Sequence, residues 1–433
     1  MPDTTAVAEF FPGEPIPAAI VLGAEDFNAL AVVRALGRAG VEVIAASPDA
    51  DALGFRSKFK ARTLHHVDPI TQPEGLTEAL LGFAKTLPAG APPPLLFPTS
   101  DRYVSYLSQN RGILSGKFTI HLPNERQIER ILSKDEQYQE SEIEGIPYPR
   151  TWTRSTRADM HDQLDAGTLS FPLLLKASSV LEDPALNRLF RRIELFDRQK
   201  LTDIEASADQ HNVEYVLQEI IPGEDDQLYT LGTAISASGN VTAIFTGRKL
   251  RQMPPKFGIC RAGESCDEPT IVDLGVRLLK RFDYFGVSQV EFKYDARDGK
   301  FKLMEINPRT WAWVAIAERV GVNLAFHYYL DAFGKEPPFA SQRPGKTLWF
   351  GLYDDIRYSF RHRDHKPLSF LFNGYDHIVE SRFEWRDPSP ALHYWGQQLG
   401  QLFASARRPG ALRRLAARLK RNKPANPSES PVA

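Results

Sequence analysis

Glu305, Asn307 and Arg309 stand two apart in the run MEINPR, and a further acid, Glu291, lies upstream in VEF. Residues two apart in an extended chain point to the same face, so Glu305 and Asn307 present a carboxylate and an amide oxygen side by side. Glu291 reaches that face from a neighbouring strand if the register allows. Two carboxylates and an amide oxygen form a hard, oxygen-only donor set. Such a set suits Mg²⁺, which takes one or two carboxylates and completes its shell with water and phosphate oxygens. Arg309 adds a fixed positive charge beside it. The same letters also read as an edge hairpin with solvated acids and a Pro-Arg stop.

The chain around these residues supplies an element pair to hold them. Within residues 286–309, Val287, Gln289, Glu291 and Lys293 alternate with Ser288, Val290, Phe292 and Tyr294, the period of a strand. Asp298-Gly299 gives the turn, and Phe301, Leu303 and Glu305 alternate with Lys302, Met304 and Ile306 on the return. Further stretches carry groups suited to an anion. Lys134 lies in a charged helix over residues 124–144, just before the break GIPYPRTW. Lys176 closes an apolar strand, residues 171–175, where a lysine cannot easily snorkel to water and needs an anionic partner. Lys249 and Arg251 alternate with Leu250, which puts both on one side of a continuing strand. That pair suits an anionic substrate or intermediate; a solvated basic strand is the alternative. The run YVLQEII, residues 215–221, is a strand that breaks at Pro222-Gly223, with Glu224, Asp225 and Asp226 following.

Taken in this order, the motifs resemble the ATP-grasp superfamily of carboxylate–amine ligases, in the branch similar to D-aspartate ligase and carbamoyl-phosphate synthase. The resemblance covers residues 18–335. It implies ATP and Mg²⁺ as cofactors, with two ions expected and Mn²⁺ as a substitute. It also implies a reaction in which a small carboxylic acid becomes an acyl phosphate and an amine or thiol attacks it. Carried over residue by residue, Glu291, Glu305 and Asn307 would hold the metal, and Lys134 and Lys176 would reach the ATP phosphates. Gln218, Glu219 and Ile221 would lie along the adenine, Asp226 would accept from the ribose hydroxyls, and Glu224 and Asp225 read as solvated. Arg309 would act catalytically on the carboxyl and phosphoryl oxygens, with Lys249 and Arg251 as the substrate candidates. One departure stands out. Relatives follow the second lysine with a glycine-rich lid, whereas here Ser178 and Ser179 follow and no glycine appears before Gly223. That departure favours, as alternatives, a nucleotide-binding regulatory or scaffold protein without turnover. A bicarbonate-using carboxylase-type enzyme is a further alternative within the superfamily.

Bulk properties set the remaining bounds. A chain of 433 residues, 42% hydrophobic and 25% charged, is ordinary for a soluble protein of several domains. Its net charge of −1 gives no overall field to select nucleic acid. Cys260 and Cys266 match neither a redox C-x-x-C pair nor a zinc site and read as free thiols in a cytoplasmic protein. The N-terminus lacks a signal-peptide pattern, and no apolar run approaches the ~18 residues of a membrane span. The expected fold class is α/β with α+β nucleotide domains. Residues 1–17 read as a flexible tail and 18–130 as an open parallel, Rossmann-like domain. Residues 131–340 read as a two-lobed ATP-grasp domain and 341–403 as a small helical cap. In the first domain Asn28 and the loop 99–101 lie at strand C-terminal ends, where such sheets bind ligands; Asp101 also reads as an ordinary helix cap. Trp311 and Trp313 read as core aromatics. Residues 404–433 read as a basic helix and disordered tail. Arg413, Arg414, Arg418 and Lys420 there accompany an apolar face of Leu412, Leu415 and Leu419. Such a helix can lie on anionic lipid at the inner membrane surface or meet an acidic partner. The partners otherwise expected are a small carboxylic acid and an amine, and no nucleic acid.

Overall fold

The computed structural model describes residues 6–177, 183–190, 192–362 and 366–406. Ser178, Ser179 and the basic run from Arg407 onward lie outside the described residues. Three sheets organise the described residues. The first is parallel, with β1 (Ala19–Leu22), β2 (Val43–Ser47), β3 (Arg62–His65) and β4 (Leu95–Pro98) in the order β3-β2-β1-β4. β1, β2 and β4 are buried throughout, as expected for strands covered on both faces. Residues 6–17 are not a loose tail. Val7 and Phe11 are buried in the core: Val7 N donates to Ala39 O at 3.0 Å, and Phe11 meets the rings of Tyr329 and Phe333 on the helix Leu324–Ala332 and its continuation. Apolar residues at the start of the chain recruit it to the core.

The second sheet is small and antiparallel. It contains β5 (Thr151–Thr153), β6 (Leu173–Ala177), β7 (Ile193–Leu195) and β8 (Tyr215–Glu219) in the order β5-β8-β6-β7. The third has eight strands. β9 (Leu228–Ile235), β10 (Val241–Met253), β11 (Ile259–Ser265), β12 (Gly286–Asp295), β13 (Lys300–Asn307), β14 (Ala340–Ser341), β15 (Thr347–Phe350) and β16 (His377–Glu380) run in the order β13-β12-β9-β10-β11-β15-β16, with β14 on β10. The C-terminal segment is helical at Leu352–His362 and Ser389–Ala406, and it also lengthens this sheet through β15 and β16. Among the described residues no helix is long and apolar enough to cross a membrane.

One face of the large sheet packs on the helix Pro269–Arg281, whose Ile271, Leu278 and Leu279 meet Leu231, Val290, Phe292, Leu303 and Ile306. The other face carries the polar residues of the same strands. Two rings seal the end of that face. Trp311 lies over Gly232 and Trp313 over Gly247 and Gly263; an added Cβ would stand 2.2 Å from the Trp311 ring and 3.0 Å from the Trp313 ring. Strand glycines therefore make room for core tryptophans, each 1% exposed.

Candidate active site

β12 and β13 are antiparallel neighbours, with Glu291 opposite Glu305 and Gln289 opposite Asn307. Strict alternation from Phe301 and Leu303 would turn Glu305 into the apolar core. A β-bulge prevents this. Phe292 pairs with Leu303 while Glu291 pairs with Glu305, so Met304 is an extra residue that shifts the phase. Leu303 and Ile306 stay in the core, and Glu305 and Asn307 emerge on the side of Gln289, Glu291 and Lys293.

These side chains line a cleft of about 480 Å³ between the large sheet and the small one. Asn307 Nδ2 donates to Gln289 Oε1 at 3.1 Å and to Glu305 Oε1 at 3.2 Å, which leaves its Oδ1 to accept from Arg309 Nη2 at 3.0 Å. Gln289 Nε2 donates to Glu291 Oε1 at 2.9 Å. Each carboxylate also meets a lysine. Lys249 Nζ stands 2.8 Å from Glu291 Oε1 and 2.9 Å from its Oε2. Lys134 Nζ reaches Glu305 Oε2 at 3.3 Å from the first turn of the helix Lys134–Ile143, which Ser133 caps. Burial opposes charge on Glu305, but Lys134, Lys249 and the Asn307 amide outweigh it and hold the carboxyl well below its usual range. Burial opposes charge on both lysines as well, and the carboxylates raise the pKa of each above that of a free lysine. Glu305, Lys134 and Lys249 are therefore charged at neutral pH.

The opposite wall comes from β6, β8 and the turn that follows. Lys176, at the end of β6, has no hydrogen-bond or ion-pair partner among the described residues. Burial and the nearby charge of Lys134 push its pKa from 10.5 down to about 8. Gln218 donates to Tyr138 Oη at 2.9 Å and to Thr151 Oγ1 at 3.0 Å. Glu219 is buried and clamped by Arg150 at 3.2 Å and Arg297 at 2.8 Å. Ile221 is buried at the hinge. The turn beyond it is fixed by Lys293, whose Nζ donates to Gly223 O at 2.9 Å. Arg309 is held from a third direction: Asp101, in the N-terminal domain, takes its Nε and Nη2 at 2.9 and 3.2 Å.

No protein-family model matches the sequence. D-aspartate ligase of Enterococcus faecium (strain Aus0004) is 24% identical over 295 residues, which is 64% of this chain and 68% of that one. Among solved structures, N5-carboxyaminoimidazole synthetase from Staphylococcus aureus superposes with a TM-score of 0.59 at 11% identity, over 82% of this chain and 88% of that one. A biotin carboxylase complex with β-γ-ATP from Campylobacter jejuni gives 0.55 at 17% identity, over 76% and 74%. The biotin carboxylase domain of Hydrogenobacter thermophilus 2-oxoglutarate carboxylase, holding MgADP and bicarbonate, gives 0.56 at 16%, over 77% and 74%. The chain has the fold of these solved structures and is similar in sequence to D-aspartate ligase, and the ATP-grasp resemblance agrees with both.

Against the ATP-grasp expectation, the cleft gathers Lys134, Lys176, Gln218, Glu219, Ile221, Lys249, Glu291, Glu305, Asn307 and Arg309. Two expected residues fall elsewhere. Lys249 and Arg251 do not share a face, because β10 is irregular against β11 between Lys249 and Gln252. The shift turns Arg251 away, onto Asp355 at 2.9 and 3.0 Å and over the Phe370 ring, and brings Gln252 to the cleft in its place. Asp226 is not among the cleft residues, whereas Glu224 is. Asp225, read as solvated, is buried, and its carboxylate accepts from Gln252 N, Gln252 Nε2 and Lys256 N at 2.7–2.8 Å. It thereby pins the cleft's rim. Gln289 had a signal in the sequence, being two residues before Glu291 on the same face; the role of Asp225 had none, because its partners, two backbone N–H groups and the Gln252 amide, lie far along the chain. Cys260 and Cys266 are both free thiols.

Proposed function

We propose that this protein is an ATP-grasp ligase, dependent on ATP and Mg²⁺, that activates a small carboxylic acid as an acyl phosphate and passes the acyl group to an amine. The observation that carries the reading is the pairing of two walls: Glu291, Glu305 and Asn307 on one, and on the other the desolvated Lys176, which has no hydrogen-bond or ion-pair partner among the described residues. The donors fit Mg²⁺. They are two carboxylates and an amide oxygen, and among the described residues no group of three or more His, Cys, Asp or Glu forms a closed cage. A site of this kind leaves coordination positions for water and phosphate oxygens. Mg²⁺ bound there would neutralise phosphate charge.

The chain's own residues account for the rest. Lys176 offers a desolvated ammonium to the phosphates, and a buried cation gains most from an anionic partner. The strand β8 and its turn offer backbone groups and the apolar side chain of Ile221 to a base. Arg309, held by Asp101, keeps a guanidinium where oxygen charge develops as the carboxylate attacks the γ-phosphorus and as the amine attacks the acyl phosphate. The sequence relative named D-aspartate ligase supports an amine rather than a thiol as the nucleophile, and a carboxylic acid rather than bicarbonate as the group activated.

The test is ADP release by the full chain with Mg²⁺ and ATP, across mixtures of amino acids and amines. Release that needs both an acid and an amine, and that disappears in Lys176→Met, is the expected result. Tight ADP binding with no acid-dependent turnover in any mixture overturns the ligase reading and leaves a nucleotide-binding protein.

A further inference from the structure

A second cavity, of about 900 Å³, shares no lining residue with the cleft. It lies where the helix Phe27–Arg38, the helix Ala315–Arg319 and the C-terminal segment around β16 meet. Ion pairs hold this junction together. Arg34 Nε meets Asp387 Oδ2 at 2.9 Å, and Arg38 bridges Glu318 and Glu384. Junctions between chain segments are common places for ligand pockets, and the volume falls in the usual range of roughly 300–1,000 Å³.

The charges along the wall do not balance. Five arginines line the cavity against three glutamates. Glu318 and Glu384 are taken up by Arg38. Glu380 accepts from the backbone N–H groups of Leu352 and Arg382 at 3.0 and 2.8 Å. Arg34 is matched by Asp387. Arg319, Arg343 and Arg386 are exposed, and among the described residues none of them has a carboxylate partner. Arg343 lies across Gly321, where an added Cβ would stand 3.0 Å from its Nε. The cavity also has an aromatic side. Phe383 stacks on Trp395 with centroids 5.9 Å apart and meets Trp385 edge-on at 4.8 Å. Trp385 is 88% exposed, and Trp395 Nε1 is buried with no acceptor.

Unmatched guanidinium groups call for an anion, which they can grip at two points. Open indole and guanidinium planes call for a flat ring. We propose that this cavity is a second ligand site, for a small molecule that carries a planar ring and an anionic group, either a carboxylate or a phosphate. A concave wall that carries both guanidinium groups and rings fits such a molecule better than a flat protein partner. The proposal stands apart from the ligase reading, because none of its residues touches the cleft.

The test uses the full chain and calorimetric titration with 1-naphthyl phosphate. 1-Naphthoate is the carboxylate arm, and 1-naphthol and inorganic phosphate are the controls. One molecule of an anionic naphthyl compound is expected to bind per chain, with both controls weaker by about tenfold or more. The tighter of the phosphate and carboxylate arms identifies the anion. Arg343→Ala combined with Arg386→Ala is expected to weaken binding by about tenfold or more. Trp385→Ala is expected to do the same by removing the ring, and these exposed positions put little of the fold at risk. Lys176→Met, in the cleft, is expected to leave the titration unchanged. Unchanged binding in both cavity variants, equal binding of naphthol, or loss of binding in Lys176→Met overturns the proposal. So does a dimer that Trp385→Ala dissociates and that binds no naphthyl anion, which would make this face a protein contact.

Discussion

Arg309 and Asp101 are joined at two points, Nε to Oδ1 at 2.9 Å and Nη2 to Oδ2 at 3.2 Å. The pair links the residues just after β13 to the first turn of the helix Asp101–Gln109, so the N-terminal domain fixes the position of the guanidinium. Asn28, buried beneath them, ties the same two segments through Nδ2, which donates to Thr99 O at 2.7 Å and Thr310 O at 3.2 Å. A planar fork held at two points loses orientation when one point is removed.

Asp101→Ala is therefore expected to lower kcat for ADP release by about ten- to hundredfold, as misplacement of a reacting group does, and to leave the KM for ATP nearly unchanged. Steady-state kinetics with a productive acid–amine pair reads this split. A rise in KM at constant kcat would show that Asp101 serves nucleotide binding instead.

Glu291 and Lys249 carry a stability prediction. Both are buried, and they are each other's ionic partner in the cleft. Glu291→Gln leaves Lys249 without its counter-charge and is expected to destabilise the fold by about 3–5 kcal/mol. Adding Lys249→Met to that variant is expected to restore most of the loss, because neither charge then remains. Denaturant unfolding of the four chains in the cycle measures the coupling. Glu305→Gln is expected to cost less stability, since its partner Lys134 is 44% exposed, while lowering turnover by about a hundredfold or more.

The cleft was legible in the sequence wherever chemistry and the period of two agreed. Glu291, Gln289, Lys176 and the hinge strand carry their signals locally, and the parallel order of β1 to β4 follows from short apolar runs separated by helical spacing. The bulges were not legible. Strict alternation groups Glu305 with Leu303, and only the extra Met304 separates them. The irregularity in β10 likewise breaks the alternation that placed Arg251 beside Lys249. A bulge is set by the partner strand's register and by what the core will accept, neither of which is written at the bulged residue. The same holds for the N-terminal residues. Phe11 looks idle until Tyr329 and Phe333, far along the chain, supply the surface it covers.

Lys176 carries a pH prediction. Its pKa of about 8 lies below the 10.5 of a free lysine. Between those values the unfolded chain holds the proton and the folded chain does not, so this group adds stability as pH rises through that window. Phosphate oxygens favour the charged form, so ADP binding above pH 8 is expected to take up a proton and to weaken as pH rises further. Calorimetry in buffers of different ionisation enthalpy detects the uptake. Lys176→Met is expected to abolish it, and an unchanged proton uptake in that variant would assign the effect to another group.

Arg251 provides the sharpest separation of structure from chemistry. Its Nη1 meets both carboxylate oxygens of the fully buried Asp355, and its Nη2 donates to Ser369 Oγ at 2.7 Å. Asp355 also accepts from Leu368 N at 2.8 Å, so the pair ties the large sheet to the C-terminal segment. Arg251→Ala is expected to cost about 3–5 kcal/mol, the range for breaking a buried pair. Arg261, 3.7 Å from the same carboxylate, favours the lower end. Turnover per folded molecule is expected to change by no more than about twofold, less than 0.5 kcal/mol of barrier. Lys249→Met, on the other face of β10, is expected to lower turnover as well as stability, since the paired strand places its ammonium on the buried Glu291 inside the cleft. Activity assays normalised to folded protein, alongside unfolding curves, decide it. Loss of turnover in Arg251→Ala at undiminished stability would return that arginine to the chemistry.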